Sequence, residues 1–263
     1  MKIKFRGLIL LMVLSIGIFL TACSSKKGSA DGEKTLQVLT YANWNPFEYK
    51  DKGELVGFDI DIITAIAKKE GYSVKVKDSA WDAMFTSIQK KESDLGISGI
   101  TINDERKQTY DFSNAYFVSR QSIVVPEDST IKAAKDLIGK NVAVQNGSTG
   151  QSAVEAILGE NSSNIKKVSN GTTYLLLDSK QADAVVGDDT SNQKYVESNP
   201  KSNLKIIQSD DFEKEPFGII FPKDSNKVSM INDGLKKIID DGSYAKIYKK
   251  WFGIEPDLSL LND

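Results

Sequence analysis

The sequence predicts an α/β fold arranged in two lobes, on three observations. From Leu36 onward, short apolar runs alternate with stretches of helical periodicity, the pattern of α/β units built around mostly parallel sheets. The alternation comes in two series, one before and one after Val125, each long enough for a modest domain. Two extended segments, near 116–125 and 215–221, can carry the chain from one series to the other. No repeat relates the two series to each other.

Residues before the first strand carry a separate signal. Lys2, Lys4 and Arg6 form a positive region, and Leu8 to Leu20 is an apolar run shorter than the ~20 residues of a comfortable membrane span. Leu20-Thr21-Ala22-Cys23 follows and resembles the lipobox of bacterial lipoproteins. That resemblance implies a signal peptide over 1–22, acylation of Cys23, and anchoring at the extracellular face of the cell membrane. Residues 23–35, rich in Ser, Lys and Gly, then read as a flexible tether.

In the first series Leu36–Thr40 predicts a strand. Phe58, Ile62, Ile63, Ile66 and Ala67 recur at helical spacing within a helix over 57–70, which Gly71 stops. Tyr72–Val76 alternates as a strand. Trp81, Phe85 and Ile88 share a helix face, and Leu95–Ile97 is a short buried strand. In the second series Asn141–Gln145, Ala184–Val186 and Leu204–Ile207 read as strands and Thr149–Leu158 as a helix. Phe217–Phe221 is one extended run ended by Pro222, and helices over Val228–Asp240 and Tyr244–Phe252 close the chain.

Composition narrows the chemistry. Histidine is absent, and Cys23 is the single cysteine. The usual general base, the commonest metal ligand and a folded-domain thiolate are all missing, so neither a metal nor a cofactor is expected. The formal charge is −2; without Lys2, Lys4 and Arg6 it becomes 31 − 36 = −5. A nucleic-acid partner is excluded on that balance, because it calls for a basic surface.

Four segments offer polar recognition groups. Trp44 lies in the loop leaving the first strand, where open α/β sheets place ligands, while Phe47, Tyr49 and Phe58 are expected in the core. In Ser98-Gly99-Ile100-Thr101, Gly99 allows close backbone approach, and Arg106 beyond it offers a bidentate fork for a carboxylate or a surface ion pair. Gln145-Asn146-Gly147-Ser148-Thr149 runs from a strand into a helix whose first N–H groups can hold a single carboxylate, or in which Ser148 or Thr149 only caps the helix. Asp188 and Asp189 follow a buried strand, as solvated loop carboxylates or as partners for an ammonium group.

Together and in this order, the segments resemble family 3 bacterial extracellular solute-binding proteins, which serve polar amino acid ABC importers. The motifs are Asn45-Pro46-Phe47-Glu48-Tyr49, Gly57-Phe58-Asp59-Ile60-Asp61, Ser98 to Thr101 with Asp104-Glu105-Arg106, Tyr110-Asp111-Phe112-Ser113, Ala182-Asp183-Ala184-Val185, and Gly242-Ser243-Tyr244 to Gly253. The resemblance implies a two-lobe, type II periplasmic-binding-protein-like fold with two crossing hinge strands. Lobe 1 would comprise 36–118 and 218–263, lobe 2 119–217. A monomer would close by hinge motion on a free amino acid and deliver it to a membrane permease. By the same resemblance, Arg106 and Thr101 take the α-carboxylate with the amides of Ser148 and Thr149. Asp188, Ser98 and the Gly99 carbonyl take the α-ammonium, and Trp44 and Trp81 flank the side chain.

Tyr41 stands where glutamine and basic-amino-acid binders commonly carry Asp, and Gln145 where glutamine binders carry Lys. The expectation is therefore an uncharged polar amino acid, with a basic amino acid or cystine as the alternative. A secreted dehydratase on the same fold is the rival of a different class; without histidine its acid or base would be a cleft carboxylate.

Overall fold

The computed structural model describes residues 34–261. The expected signal peptide and Cys23 lie outside the described residues, as does the tether except its last two positions. Those two are strand: β1 (Lys34–Thr40) pairs Lys34 and Thr35 with Tyr72 and Ser73 of the neighbouring strand, so the ladder begins before the apolar run does.

A three-stranded antiparallel ribbon follows, β2 (Asn43–Trp44), β3 (Glu48–Asp51) and β4 (Glu54–Val56). The helix α1 (Phe58–Lys69) starts at Gly57, whose φ is +144° and where any Cβ would lie 1.9 Å from the Phe47 carbonyl oxygen. The chain continues through β5 (Tyr72–Asp78), α2 (Trp81–Gln89), β6 (Leu95–Gly96), α3 (Asp104–Thr109) and β7 (Tyr110–Phe112). It leaves along β8 (Phe117–Pro126).

The second lobe contains β9 (Val142–Gln145), α4 (Thr149–Leu158), β10 (Ile165–Val168), α5 (Asn170–Asp178), β11 (Ala184–Asp188), α6 (Asp189–Ser198) and β12 (Leu204–Ile207). The return runs through β13 (Lys214–Phe217) and β14 (Ile220–Pro222) to α7 (Val228–Asp240) and α8 (Ser243–Phe252).

Both sheets are mixed, where mostly parallel ones were expected. The first has the order β5-β1-β6-β14-β7, parallel from β5 to β6 and antiparallel beyond. The second is β10-β9-β11-β8-β12, parallel from β10 to β11 and antiparallel across β8. The antiparallel members are the strands by which the chain enters one lobe from the other. Between the lobes β8 and β13 cross as an antiparallel pair, 117–120 against 214–217. The expected boundary at 118/119 falls inside that ladder and the one at 217/218 at its end. The single extended run expected over 217–221 is broken, because the Gly218 amide turns to the Ile100 carbonyl and the Ile219 amide to Ser113 Oγ.

Period-two alternation assigns the faces. In the second lobe Ile123, Val125, Val142, Val144 and Val186 bury with Val154 of α4, while Val124, Ala143 and Val185 bury with Tyr174 and Leu177 of α5. In the first lobe Leu36 and Val38 join α1, α7 and α8, while Leu39 joins Met84 and Ile88 of α2. Phe47 and Phe58 are fully buried as expected, whereas Tyr49 is half-exposed and meets Trp251 edge-on. Phe47, Phe117 and Phe217 form an aromatic group whose ring centres lie 5.0–5.7 Å apart, tying the two crossing strands to the first core.

Candidate ligand-binding cleft

Between the lobes lies a cavity of about 600 Å³, open solvent at its mouth included. The lobes meet around it. Trp81 Nε1 donates to the Gly147 carbonyl at 3.3 Å, and Asn170 Nδ2 donates to the Asn43 carbonyl at 3.2 Å.

The wall from the first lobe is built by the ends of β1 and β6. Gly99 adopts φ +48°, and a Cβ there would lie 1.9 Å from Cζ3 of Trp44. Glycine is thus required for Trp44 to lie against the loop. The Trp44 ring is braced by Phe47 at 5.0 Å and Phe217 at 5.8 Å. Behind the loop sit two fully buried carboxyls. Glu48 Oε1 accepts from Ser98 Oγ at 2.5 Å, and Asp59 Oδ2 accepts from the Gly99 amide at 2.9 Å and the Tyr116 hydroxyl at 2.8 Å. Burial drives both carboxyls up, Asp59 to about 7 and Glu48 well above its ordinary value, with repulsion from Asp59 adding to the latter. The two carboxyls also hydrogen-bond to each other, which requires a proton on one of them.

Arg106 projects from α3, whose start is capped by Asn103 Oδ1 accepting the Arg106 amide at 2.8 Å. Its Nη1 donates to the Thr101 carbonyl at 3.0 Å and its Nη2 to the Gly147 carbonyl at 3.3 Å, one on each lobe. The guanidinium lies over the Phe85 and Trp81 rings at 5.4 and 5.7 Å. Burial lowers its pKa to about 10, opposed by Glu215, Glu105 and Tyr110. It forms no ion pair among the described residues.

The facing wall is the start of α4 and the end of β11. Ser148 caps α4 by accepting the Gln151 amide at 3.2 Å, and its own amide, expected to meet a carboxylate, donates to the Gln145 carbonyl at 3.3 Å; Thr149 and Gly150 of the first turn line the cleft. Asp188 is 6% exposed and caps α6 through Oδ1, which accepts the Ser191 amide at 3.3 Å. Its Oδ2 has no hydrogen-bond partner among the described residues, nor do the buried Gln121 Oε1 and Ser191 Oγ. Burial pushes the Asp188 carboxyl up to about 7; the Ser119 hydroxyl and Ser191 amide oppose the rise, and Glu215 and Asp189 add to it.

Tyr41, Trp44, Trp81, Gly99, Thr101, Arg106, Gln145, Ser148, Thr149 and Asp188, all singled out from the sequence, line this one cavity. Ser98 does not. Its hydroxyl is turned into the core toward Glu48, and it accepts the Tyr41 amide at 3.3 Å, so it supports the loop from behind. Sequence reasoning missed Gln121, Asn170, Tyr174, Ser191 and Glu215, which also face the cavity. Glu215 left a usable signal: it lies two residues before Phe217 in a segment already read as a crossing, and strand alternation puts both on one face.

The family described as bacterial extracellular solute-binding proteins, family 3, matches residues 36–254. The arginine-binding extracellular protein ArtP of Bacillus subtilis (strain 168) is 36% identical over 251 residues, covering 94% of this chain and 98% of ArtP. A probable histidine-binding protein of Neisseria gonorrhoeae is 35% identical over 231 residues, 86% of each chain. Among solved structures, the arginine-, lysine-, histidine-binding protein ArtJ of Geobacillus stearothermophilus superimposes with a TM-score of 0.86 at 44% identity, covering 88% of this chain and all of ArtJ. The chain belongs to the bacterial extracellular solute-binding proteins, family 3.

Proposed function

We propose that this protein is the extracellular binding subunit of an amino acid ABC importer, and that it holds a free amino acid between Arg106 and Asp188. The class of solute is supported by relatives named for binding arginine and histidine. The single observation that carries the residue roles is the opposed pair across one cavity. Among the described residues, a guanidinium without an ion-pair partner stands on one wall, and a buried carboxyl with an unpartnered oxygen on the other.

A zwitterion entering the closed cleft loses its hydration, and each charged end then needs its own partner. The α-carboxylate takes Arg106 and the free N–H groups at the start of α4; the α-ammonium takes Asp188 Oδ2. Charge-assisted hydrogen bonds of this kind are worth roughly 1.5–3 kcal/mol each. Because the two partners come from different lobes, the ligand favours the closed state by binding it better than the open one. Trp44, Trp81, Tyr41 and Gln145 surround the remainder of the ligand. Cys23 is assigned as the lipid-bearing mature N-terminus on the lipobox signature; Cys23→Ala should release the protein from the cell surface into the medium.

The test is calorimetry on mature protein freed of ligand, preceded by a thermal-shift screen of the amino acids, in which the true ligand raises the melting temperature by mass action. Arg106→Ala should weaken binding at least about tenfold. An unchanged affinity in that variant would refute the carboxylate role.

A further inference from the structure

We propose that Glu215 makes the cleft selective for cationic amino acids, by giving the cavity one negative charge more than a zwitterion can neutralise. The inference rests on the amino acid reading above and adds the class of side chain.

Three charged residues line the cavity among the described residues, Arg106, Asp188 and Glu215. A zwitterion matches the first two and leaves Glu215 over. Glu215 Oε2 accepts from the hydroxyls of Thr149 at 2.6 Å and Thr101 at 2.8 Å, and Oε1 accepts from Gln121 Nε2 at 3.0 Å. All three partners donate, and all three are neutral. No Lys or Arg lies within ion-pair distance of it among the described residues. Arg106, which Glu215 favours electrostatically, is the single cation of the lining, so the two acidic residues leave one negative charge in excess.

The hydrogen-bonding count points the same way. Because the Gln121 amide nitrogen is committed to Glu215, its Oε1 is left without a partner at 4% exposure, alongside Asp188 Oδ2. Buried acceptors of this kind are normally matched by donors. A ligand with a second donor-rich, positively charged end supplies both what the charge balance and the acceptors lack. Outside the cavity, a groove that shares Arg106 is lined by Asp82 and Glu105 as well. Tyr41 replaces the aspartate that would mark a cation binder at the end of β1. The crossing strand β13 restores that negative charge from a different element, which is why the sequence pattern alone favoured an uncharged ligand.

The experiment compares arginine with citrulline, which has nearly the same shape but a neutral urea in place of the guanidinium, by calorimetry at pH 7.5. Wild-type protein should bind arginine at least about 30-fold more tightly than citrulline, the size of one charge-assisted interaction. Glu215→Gln should bring that ratio below about threefold, with folding checked by its melting curve. A variant that keeps the full ratio overturns the role of Glu215. Wild-type protein that binds citrulline as well as arginine overturns the proposal even if the variant fails to fold, while leaving amino acid binding intact. Wild-type protein that binds no amino acid at all overturns the Arg106–Asp188 reading and this one with it.

Discussion

Asp188→Asn separates the stability of the empty cleft from its affinity. The carboxyl is 6% exposed and its pKa is about 7, against an ordinary 3.8. A carboxyl whose folded pKa is raised binds its proton more tightly in the folded chain than in the unfolded one. Folding stability therefore falls as pH rises from about 4 to about 7 and stays reduced above that. Three pKa units at about 1.4 kcal/mol each set a ceiling of roughly 4 kcal/mol. Asparagine has the same shape, keeps the cap on the Ser191 amide and carries no charge. Ligand-free Asp188→Asn should thus be more stable than wild type at pH 8 by about 1–3 kcal/mol, allowing for relaxation below that ceiling, and by only about a third of that at pH 5. Its affinity should drop at least about tenfold, since the ammonium loses its charged partner. Wild-type binding near pH 7 should also release protons, visible as an enthalpy that depends on the buffer; the variant should release fewer. Urea unfolding of ligand-free protein at pH 5, 6, 7 and 8, with calorimetry at pH 7, measures all three. Parallel stability profiles for the two proteins, or affinities within twofold, would refute the argument.

Two further outcomes follow from the loop behind Trp44. Gly99→Ala must place a methyl where the Trp44 ring now lies, at a left-handed backbone position that alone costs roughly 1–2 kcal/mol, so both stability and binding should fall. An intact intrinsic fluorescence spectrum with wild-type affinity would contradict the packing described. Glu48→Gln removes one of two buried carboxyls with raised pKa values, and should flatten the loss of stability that wild type shows between about pH 5 and 8. Chemical unfolding across that range checks it, and an unchanged slope would show that the pair does not titrate there.

Much of the fold was legible because it depends on periodicity. The alternation in Asn141–Gln145 and Ala184–Val186 placed buried strands, and Ile62, Ile63 and Ile66 marked one helix face. The helices α5 and α6 escaped for opposite reasons. α5 opens with Asn170-Gly171-Thr172, which reads as a turn, and is held by the burial of Tyr174 and Leu177. α6 is almost wholly polar and is fixed by its Asp188 cap and by Asn192, whose amide donates to Ser122 and the Gly187 carbonyl. The cleft was legible where charge or glycine marked it, as at Arg106, Gly99 and Asp188. It was not legible at Gln121, and at Glu215 it was marked by strand alternation with Phe217 alone, because both reach the cleft through strands distant in sequence that are laid side by side. Ser98 shows the reverse case, a hydroxyl with the right neighbours in sequence that the sheet turns the other way.

The route of the chain has a mechanical consequence. Lys34 begins a strand of the first lobe and Leu261 packs against the core of that same lobe, whereas the second lobe is spliced in between β7 and β14. Tension applied through either described end is borne by one half of the molecule alone. The other half is joined to it covalently through β8 and β13, outside the path of that load.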